Sequence, residues 1–341
     1  MKSKSTIFLL TIMICALLFP TVVTVEADEI KTYTALGDSI AAGYGLPSYT
    51  SDGNTVFGGY VSRVGKYVGA EKINDKAISG LDTNGLLSLI AADPSYKKAI
   101  ADADLITVSI GSNDILLPAI GMIEDFVLGN SGGDLLAHFE NMTLSELKDL
   151  LKRLGAYLNA PAQQEIAARG VETFKTNWEK VIDSIIAINP SAQIIVTNYY
   201  NPMYSLEKLF GEPLAQPYLD IMNEHIKSHE YNNKYYTIVD ITEVGREKNY
   251  VNLDLDTQNL DVHPSFNGHL YISEQITNLL DPKEPETEIK TEPSEIPKET
   301  STQTESVPDP PKSSCGGLSL HASILSLALA SFFFTKIKIM H

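Results

Sequence analysis

The amino-acid sequence predicts an α/β fold of three layers, in which helices cover both faces of a parallel five-stranded sheet. Short runs rich in β-branched and apolar residues alternate with longer runs whose apolar residues recur at helical spacing. This alternation is typical of a parallel sheet with helical crossovers. The predicted strands cover residues 33–36, 72–78, 105–110, 193–197 and 235–239, of which the second is the weakest. The predicted helices cover residues 84–91, 144–158, 162–188 and 215–229.

The composition indicates a globular domain and excludes one class of partner. Hydrophobic residues make up 43% of the 341-residue chain, which is enough apolar mass for a sizeable core. The formal net charge is −17, because 43 acidic residues outnumber 26 basic ones. A surface this acidic repels phosphate backbones and anionic lipid head groups. We therefore expect no nucleic-acid partner.

Residues 1–27 have the pattern of a secretory signal peptide. Lys2 and Lys4 precede a long apolar run, and small residues stand near the end of the segment, where a signal peptidase cleaves. Of the two cysteines, Cys15 lies in this segment and Cys315 lies near the other end of the chain. We expect an exported protein whose folded domain depends on its core without a disulfide.

The predicted domain covers residues 28–281, and two segments follow it. Residues 282–312 are rich in proline, threonine and glutamate and lack apolar periodicity, so they predict a disordered spacer. Residues 313–341 contain a mostly apolar run followed by Lys336 and Lys338, which indicates a membrane tether or a processed sorting tail. We expect the protein at the cell surface or tethered to the membrane by this tail alone, or secreted after the tail is removed.

The residues that follow the first predicted strand contain a candidate nucleophile. Gly37-Asp38-Ser39 stands there, where the glycine permits a tight turn and Ser39 is expected to begin the next helix. A helix N-terminus stabilises developing negative charge. The same tripeptide also makes an ordinary turn with a helix cap, so it indicates a site only together with other residues.

Two further strand ends carry hydrogen-bond donors. Gly80 follows the second predicted strand and Asn113 follows the third. A glycine lets its backbone N–H approach a substrate oxygen closely, and the Asn113 amide is a directed donor. With the Ser39 N–H they are candidates for an oxyanion hole of three donors. A turn glycine and a helix cap are the structural alternatives.

A candidate base stands near the end of the predicted domain, in the segment Asp261-Val262-His263-Pro264. A histidine with a nearby carboxylate suits a general base that deprotonates a serine and then carries the positive charge. The order serine, aspartate, histidine fits an α/β scaffold, although the Gly-x-Ser-x-Gly motif is absent. His269 is a fallback base, with packing or capping at the start of the last helix as its other interpretation.

These four separated motifs resemble those of the SGNH hydrolases, also called GDSL lipases or esterases. The similar blocks are Gly37-Asp38-Ser39-Ile40, residues 74–80, Gly111-Ser112-Asn113-Asp114 and Asp261-Val262-His263-Pro264, within residues 31–281. The resemblance implies a flavodoxin-like three-layer fold and a serine hydrolase. It also implies roles for Ser39 as nucleophile, Gly80 and Asn113 as oxyanion donors and His263 as base. It implies no metal and no cofactor.

The spacing between the aspartate and the histidine departs from the family pattern. Members similar to this chain usually place the aspartate three residues before the histidine, and that position is Leu260 here. Residues i and i+2 of an extended segment face the same side, so Asp261 is within reach of His263 Nδ1. Asp254, Asp256 or a backbone carbonyl are the alternatives for orienting His263. A solvated loop residue is the other interpretation of Asp261.

The long segment between the third and fourth strands, residues 114–190, is a candidate lid. Its apolar residues between positions 115 and 128 are candidates to line an acyl pocket, with an ordinary buried helix face as the alternative. Residues 198–203 resemble the corresponding strand end of lipase-like members. We therefore expect a serine hydrolase that cleaves lipid or small-molecule carboxylic esters through an acyl-enzyme. The alternatives are an acetylesterase that acts on polysaccharide and a surface protein that only binds a ligand.

Overall fold

The computed structural model describes most of the predicted domain. The described residues are 29–51, 53–129, 138–139, 142–210, 213–257 and 259–280. The predictions for residues 1–27, 282–312 and 313–341 lie outside them. Within the described ranges, no helix has both the length and the apolar character needed to cross a membrane.

Five parallel strands form the central sheet, as predicted. They are β1 (Thr32–Gly37), β2 (Lys72–Ala77), β3 (Leu105–Ser109), β4 (Gln193–Thr197) and β5 (Thr237–Val239). Their order across the sheet is β2-β1-β3-β4-β5, and every neighbouring pair is parallel. This is the flavodoxin-like order, which confirms the predicted fold. Ligands of such sheets bind beyond the carboxyl ends of the strands where the order reverses, which here are β1 and β3.

Helices cover both faces of the sheet. They are α1 (Tyr60–Tyr67), α2 (Thr83–Ala92), α3 (Pro94–Ala101), α4 (Ser112–Leu128), α5 (Leu144–Leu158), α6 (Pro161–Ile188), α7 (Glu207–Phe210), α8 (Gln216–Ser228), α9 (Glu243–Arg246) and α10 (Phe266–Leu280). The four predicted helices correspond to α2, α5, α6 and α8. Their ends agree closely because start signals are present: a capping box of Thr143 and Glu146 begins α5, and Pro161 begins α6.

The last predicted strand is shorter than expected, since β5 covers only Thr237–Val239 instead of residues 235–239. Tyr235 is 38% exposed, whereas Tyr236 is buried. The Tyr236 hydroxyl donates to the Ile226 carbonyl and accepts from the Trp178 indole N–H. The aromatic residues that suggested a longer strand therefore serve helix packing, since β-propensity largely reports side-chain packing.

Two apolar cores hold the layers together. On one face, α2, α3, α6 and α8 pack around Phe174 and Trp178, which are fully buried. On the other face, α1 and α10 pack against Tyr33 of β1 and Ile195 of β4. The three inner strands β1, β3 and β4 are covered on both faces and consist mostly of buried residues. This double cover gives the carboxyl ends of β1 and β3 a rigid base.

Asp75 on β2 is expected to make the stability of the domain depend on pH. Its Oδ1 accepts the Ala77 N–H at 3.2 Å, but burial outweighs this bond and raises the pKa of Asp75 to about 7. The same carboxyl in the unfolded chain titrates near pH 4, so between about pH 4 and 7 the folded domain binds more protons than the unfolded chain. The stability that the protonated carboxyl contributes is therefore lost as the pH rises through 7.

Asp75→Asn is expected to remove this part of the pH dependence, because an amide does not titrate. Between pH 4 and 8 the free energy of unfolding of the wild type should fall relative to that of the variant, by on the order of 2 kcal/mol. Urea unfolding at the two pH values measures the difference. Asp149→Asn on the exposed face of α5 is the control. Parallel pH curves for wild type and Asp75→Asn would contradict the expectation.

Candidate active site

The turn after β1 places Ser39 at the carboxyl edge of the sheet. Gly37 is required because a side chain there would collide with the Ser109 carbonyl of the neighbouring β3. Asp38 then fixes the turn twice: its N–H donates to the Ser109 carbonyl, and its Oδ1 accepts the Ile40 N–H, both at 3.0 Å. Each residue of the tripeptide thus has its own geometric role, and the mostly buried Ser39 lies just beyond β1.

The prediction that Ser39 begins a helix is wrong. Consecutive turns follow it, and the Tyr44 N–H donates to the Ser39 carbonyl at 3.0 Å. Gly43 and Gly45 both have positive φ, which interrupts any helix, and α1 begins only at Tyr60. The Ser39 N–H therefore does not lie at the N-terminus of a helix that Ser39 begins. Stabilisation of an anion at this position needs individual hydrogen-bond donors.

Ser39, His263 and Asp261 form a continuous series of hydrogen bonds. The Ser39 Oγ and the His263 Nε2 are 2.8 Å apart, and the His263 Nδ1 and the Asp261 Oδ1 are 2.6 Å apart. The Tyr44 ring packs on the imidazole with centroids 4.5 Å apart, and the Tyr200 hydroxyl donates to the carbonyl just before His263 at 3.0 Å. These contacts hold the imidazole between a hydroxyl and a carboxylate, which is the arrangement that activates a serine as a nucleophile.

Among the three candidate carboxylates, only Asp261 contacts His263. The Asp261 side chain is only 1% exposed, and it lies against the imidazole ring. Asp254 instead accepts the Asp256 N–H and pairs with Asn259 in an antiparallel bridge, and Asp256 is exposed. Leu260, at the aspartate position usual in the family, packs against an apolar cluster. Asp261 therefore contacts the imidazole although it stands two residues before His263 and not three, as is usual in the family.

The proposed oxyanion donors lie at the same edge of the sheet. Asn113 is buried at the start of α4, and its Nδ2 donates to the Leu81 carbonyl at 2.8 Å, which leaves its second amide hydrogen available. That bond joins Asn113 to the turn that contains Gly80, whose φ of +81° favours glycine. Among the described residues, the backbone N–H groups of Ser39 and Gly80 donate to no protein acceptor. Both remain available to a substrate oxygen.

Asp114, for which the sequence suggested no separate role, anchors Asn113. Its two carboxylate oxygens accept the backbone N–H and the hydroxyl of Thr83, at 3.1 and 2.6 Å. The Asn177 amide of α6 donates to the same Thr83 hydroxyl at 3.0 Å. Burial raises the pKa of Asp114 to about 6, although the bonds from Thr83 lower it. Asp114 therefore links the starts of α2 and α4, and with them the segments that carry Gly80 and Asn113.

Two more buried titratable groups lie near the hydrogen-bonded series. Burial raises the pKa of Asp38 to about 7, despite the Ile40 N–H that its carboxylate accepts. Burial lowers the pKa of His269 to about 3, so that imidazole stays neutral. Its Nδ1 accepts the Tyr60 N–H at 3.3 Å at the start of α1. His269 thus caps and packs, and the fallback assignment of His269 as the base is not supported by its contacts.

An apolar cavity of about 420 Å³ lies beside the hydrogen-bonded series. Ser39, Asn113 and His263 contribute to its lining. Most of the remaining lining is apolar and includes Ile115, Leu116, Met122 and Ile123 of α4 and Pro202 and Met203 after β4. The predicted pocket residues of α4 are thus partly confirmed as cavity lining. Phe126 is not among the lining residues and instead packs on Tyr157, with ring centroids 4.8 Å apart.

The described part of the chain contains no group of three or more histidine, cysteine, aspartate or glutamate side chains that could hold a metal ion. His225 of α8 and His229, the residue that caps the end of this helix, are neighbours, with ring centroids 5.6 Å apart. Burial and the nearby His229 lower the pKa of His225. The pair has no third ligand within the described residues.

Comparison with known proteins identifies the family. The sequence model of the GDSL-like Lipase/Acylhydrolase family matches residues 35–270, which is more than half of the chain. The chain belongs to this family. The matched range of this GDSL family member contains Ser39, Gly80, Asn113, Asp261 and His263, which the sequence analysis selected. It also contains all of the lining named above for the apolar cavity.

Individual relatives of this GDSL family member are distant. The uncharacterized protein YpmR of Bacillus subtilis (strain 168) is 23% identical over 266 residues, which cover 74% of this chain and 84% of YpmR. The lipase Lip_vut3 from a goat rumen metagenome is 22% identical, with a TM-score of 0.45 and coverage of 72% of this chain and 95% of the lipase. An extracellular lipase from Streptomyces rimosus is 18% identical, with a TM-score of 0.47 and coverage of 73% and 99%.

Proposed function

We propose that the protein hydrolyses carboxylic esters through an acyl-enzyme intermediate. The observation that carries this proposal is the hydrogen-bond series from Ser39 through His263 to Asp261, beside an apolar cavity. A serine hydroxyl is a weak nucleophile unless a base within hydrogen-bond reach removes its proton. The His263 Nε2, 2.8 Å from the Ser39 Oγ, meets that requirement. Membership of the GDSL-like Lipase/Acylhydrolase family supports the same reaction class.

Acylation follows from this geometry. The Ser39 Oγ attacks the ester carbonyl carbon while its proton moves to the His263 Nε2, and the Asp261 carboxylate stabilises the resulting imidazolium. The carbonyl oxygen becomes an oxyanion that accepts hydrogen bonds from the Ser39 N–H, the Gly80 N–H and the Asn113 amide. The bond to the alcohol oxygen then breaks, and the alcohol leaves with the proton from His263.

Deacylation repeats these steps with water. His263 removes a proton from a water molecule, whose oxygen attacks the acyl carbon, and the same donors stabilise the second oxyanion. The bond to Ser39 breaks, the carboxylic acid is released, and the proton returns to the Ser39 Oγ. The cycle consumes one ester and one water and produces one acid and one alcohol.

The cavity supports esters with an apolar acyl chain as the preferred substrates. Its lining from α4 and from the segment after β4 is largely aliphatic, so each methylene that enters it leaves water. A cavity of about 420 Å³ is much larger than an acetyl group needs. An acetyl group would fill only a small part of this apolar volume, so the cavity favours longer acyl chains over the acetylesterase alternative.

A series of nitrophenyl esters of increasing acyl length tests this preference. We expect kcat/KM to rise from the acetate upward, by up to about fourfold for each methylene that enters the cavity. Ala119→Trp on α4 fills part of the cavity lining, so it should lower kcat/KM for the octanoate at least about tenfold and leave the acetate within about threefold. Ala187→Trp, at an exposed position of α6, is the matched control.

The outcome also separates the two substrate classes. If kcat/KM is highest for acetate and acetylated polysaccharide is a better substrate than any acyl ester, the acetylesterase alternative replaces the present proposal. If Ala119→Trp does not change how kcat/KM depends on acyl length, the acyl group binds outside the apolar cavity.

We further propose that the enzyme acts outside the cytoplasm, because the signal-peptide pattern of residues 1–27 precedes the hydrolase domain. Full-length protein is expected in the envelope or cell-surface fraction, and protein that ends at Leu280 is expected in the medium with full activity. Fractionation followed by an ester assay measures both. Recovery of the full-length protein in the cytosol would contradict the proposal.

A further inference from the structure

The carboxylate of Asp261 has a complete set of hydrogen-bond donors. Its Oδ1 accepts both from the backbone N–H of His263, at 3.1 Å, and from the imidazole Nδ1, at 2.6 Å. Its Oδ2 accepts from the Asn252 Nδ2 at 2.8 Å. No motif in the sequence indicates a role for Asn252. It is nevertheless the side chain that contacts the second oxygen of the carboxylate.

The two-residue spacing makes the Asn252 bond important. Both bonds to His263 converge on Oδ1, so without Asn252 the second oxygen of this buried carboxylate would lack a side-chain donor. The terminal torsion of an aspartate has only a weak intrinsic preference, so the carboxylate plane rotates easily about the bond to its Cβ. A donor on Oδ2 opposes this rotation, because a turn that moves Oδ1 away from His263 also breaks the bond from Asn252. Asn252 therefore adds to the two His263 bonds in holding the carboxylate plane toward the imidazole.

The surroundings keep the Asn252 amide in place. The Asn252 backbone N–H donates to the His263 carbonyl at 3.0 Å, next to an antiparallel bridge between Val251 and Pro264. Gly45 lies against the bond, with its carbonyl 3.4 Å from the Asn252 Nδ2. A Cβ at Gly45 would lie 2.7 Å from that nitrogen and 2.6 Å from the Asp261 Oδ2. Because Gly45 has no side chain, there is room beside it for the hydrogen bond between Asn252 and Asp261.

We infer that Asn252 is a positioning residue of the active site, which holds the Asp261 carboxylate in the plane that orients His263. This inference rests on the proposed function for its effect on turnover, although the contact itself does not. Asn252 is not part of the lining of the apolar cavity, and its side chain bonds to the Asp261 carboxylate, so it acts through Asp261. Its loss should therefore affect kcat and leave substrate binding nearly unchanged.

Asn252→Ala tests the inference. Hydrogen bonds to a charged group contribute more than neutral ones, so we expect kcat to fall roughly 10- to 100-fold, with KM changed less than about threefold. The matched control is Asn198→Ala, because the Asn198 amide makes a similar bond to a carboxylate, 2.9 Å from the Asp240 Oδ1. That variant should keep the wild-type kcat. An equal loss in both variants, or a kcat for Asn252→Ala within twofold of wild type, would overturn the inference.

Asn252→Asp separates positioning from general structural damage. The new side chain has almost the same shape but offers a carboxylate where Asp261 needs a donor, and like charges at this distance repel. We therefore compare the ratio of variant to wild-type activity at each pH. This ratio should be higher in mild acid, where the new carboxyl group is protonated and donates again, than at alkaline pH. A merely structural defect would give the same activity ratio at every pH.

Proton NMR distinguishes failure of this inference from failure of the proposed function. We expect the proton between the His263 Nδ1 and the Asp261 Oδ1, which are 2.6 Å apart, to give a far-downfield resonance that is absent in His263→Gln. This signal does not require turnover. We expect Asn252→Ala to shift or broaden it and Asn198→Ala to leave it in place. A wild type without esterase activity that still shows this response would refute the ester hydrolase but retain the Asn252 contact. An unchanged resonance in a folded Asn252→Ala protein would refute the inference.

Discussion

Ser39→Ala is expected to lower the kcat of ester hydrolysis by about 10⁵- to 10⁶-fold, the largest effect of any single substitution in this protein. The removed Oγ is the atom that forms the acyl-enzyme, and it makes a hydrogen bond to the His263 Nε2. The backbone of Ser39 keeps its position, because Gly37, Asp38 and Tyr44 define the surrounding turn. The fold and the thermal unfolding midpoint should therefore change little.

Covalent labelling gives a second measurement of the same assignment. A fluorophosphonate probe should add one label to the wild type, mapped by mass spectrometry to the peptide that contains Ser39, and none to Ser39→Ala. Ser88→Ala, at an exposed serine of α2, should label and hydrolyse like the wild type. If Ser39→Ala keeps measurable labelling and near-normal turnover, another residue is the nucleophile. A wild type that binds esters without hydrolysing or labelling would indicate the binding-protein alternative.

The sheet and most helices could be predicted because their burial leaves a pattern in the sequence. β1, β3 and β4 are buried on both faces, so each consists of a short run of mostly apolar and β-branched residues. The turns after Ser39 could not be predicted in this way. Ile40, Ala41 and Tyr44 are buried at a spacing that imitates one helical face, while the positive φ of the intervening glycine cannot be read from periodicity.

The candidate site was predictable where a residue directly follows a strand. Ser39 and Asn113 follow β1 and β3, whose carboxyl ends adjoin in a flavodoxin-like sheet, so topology brings them together. Asn252 lies in an irregular segment that is joined to the loop of Asp261 by the bridge between Val251 and Pro264 and by backbone hydrogen bonds. Such a pairing has no signature in a single sequence. It depends on how two loops cross in three dimensions.

The choice among three aspartates also required the structure. Asp254, Asp256 and Asp261 stand in one loop, and their residue type and spacing do not distinguish them. Burial does, because only Asp261 is enclosed and in contact with the imidazole. A buried carboxylate needs partners, and Asp261 has donors on both of its oxygens.

Asp261→Asn is accordingly expected to lower kcat by up to about 10⁴-fold with little change in KM. The amide has the shape of the carboxylate but can accept hydrogen bonds on one side only. If its oxygen faces His263, its NH₂ group faces the Asn252 donor; if the oxygen faces Asn252, the NH₂ group faces His263. In the second orientation the ring must accept at Nδ1 and carry its proton on Nε2, which then cannot remove the proton of Ser39.

The neighbouring aspartates provide matched controls for this result. Asp254→Asn and Asp256→Asn change the charge of the same loop by the same amount, but neither side chain contacts His263, so both variants should stay within a few fold of the wild-type kcat.

Combining Asp261→Asn with Asn252→Ala supplies a further test. Without the Asn252 donor, the new amide no longer has a reason to turn its oxygen away from His263, so the double variant should lose far less than the product of the two single losses. Losses that multiply would mean that Asn252 and Asp261 act on the reaction independently. Equal activity in all three aspartate variants would instead leave Ser39 and His263 as a dyad oriented by a backbone carbonyl.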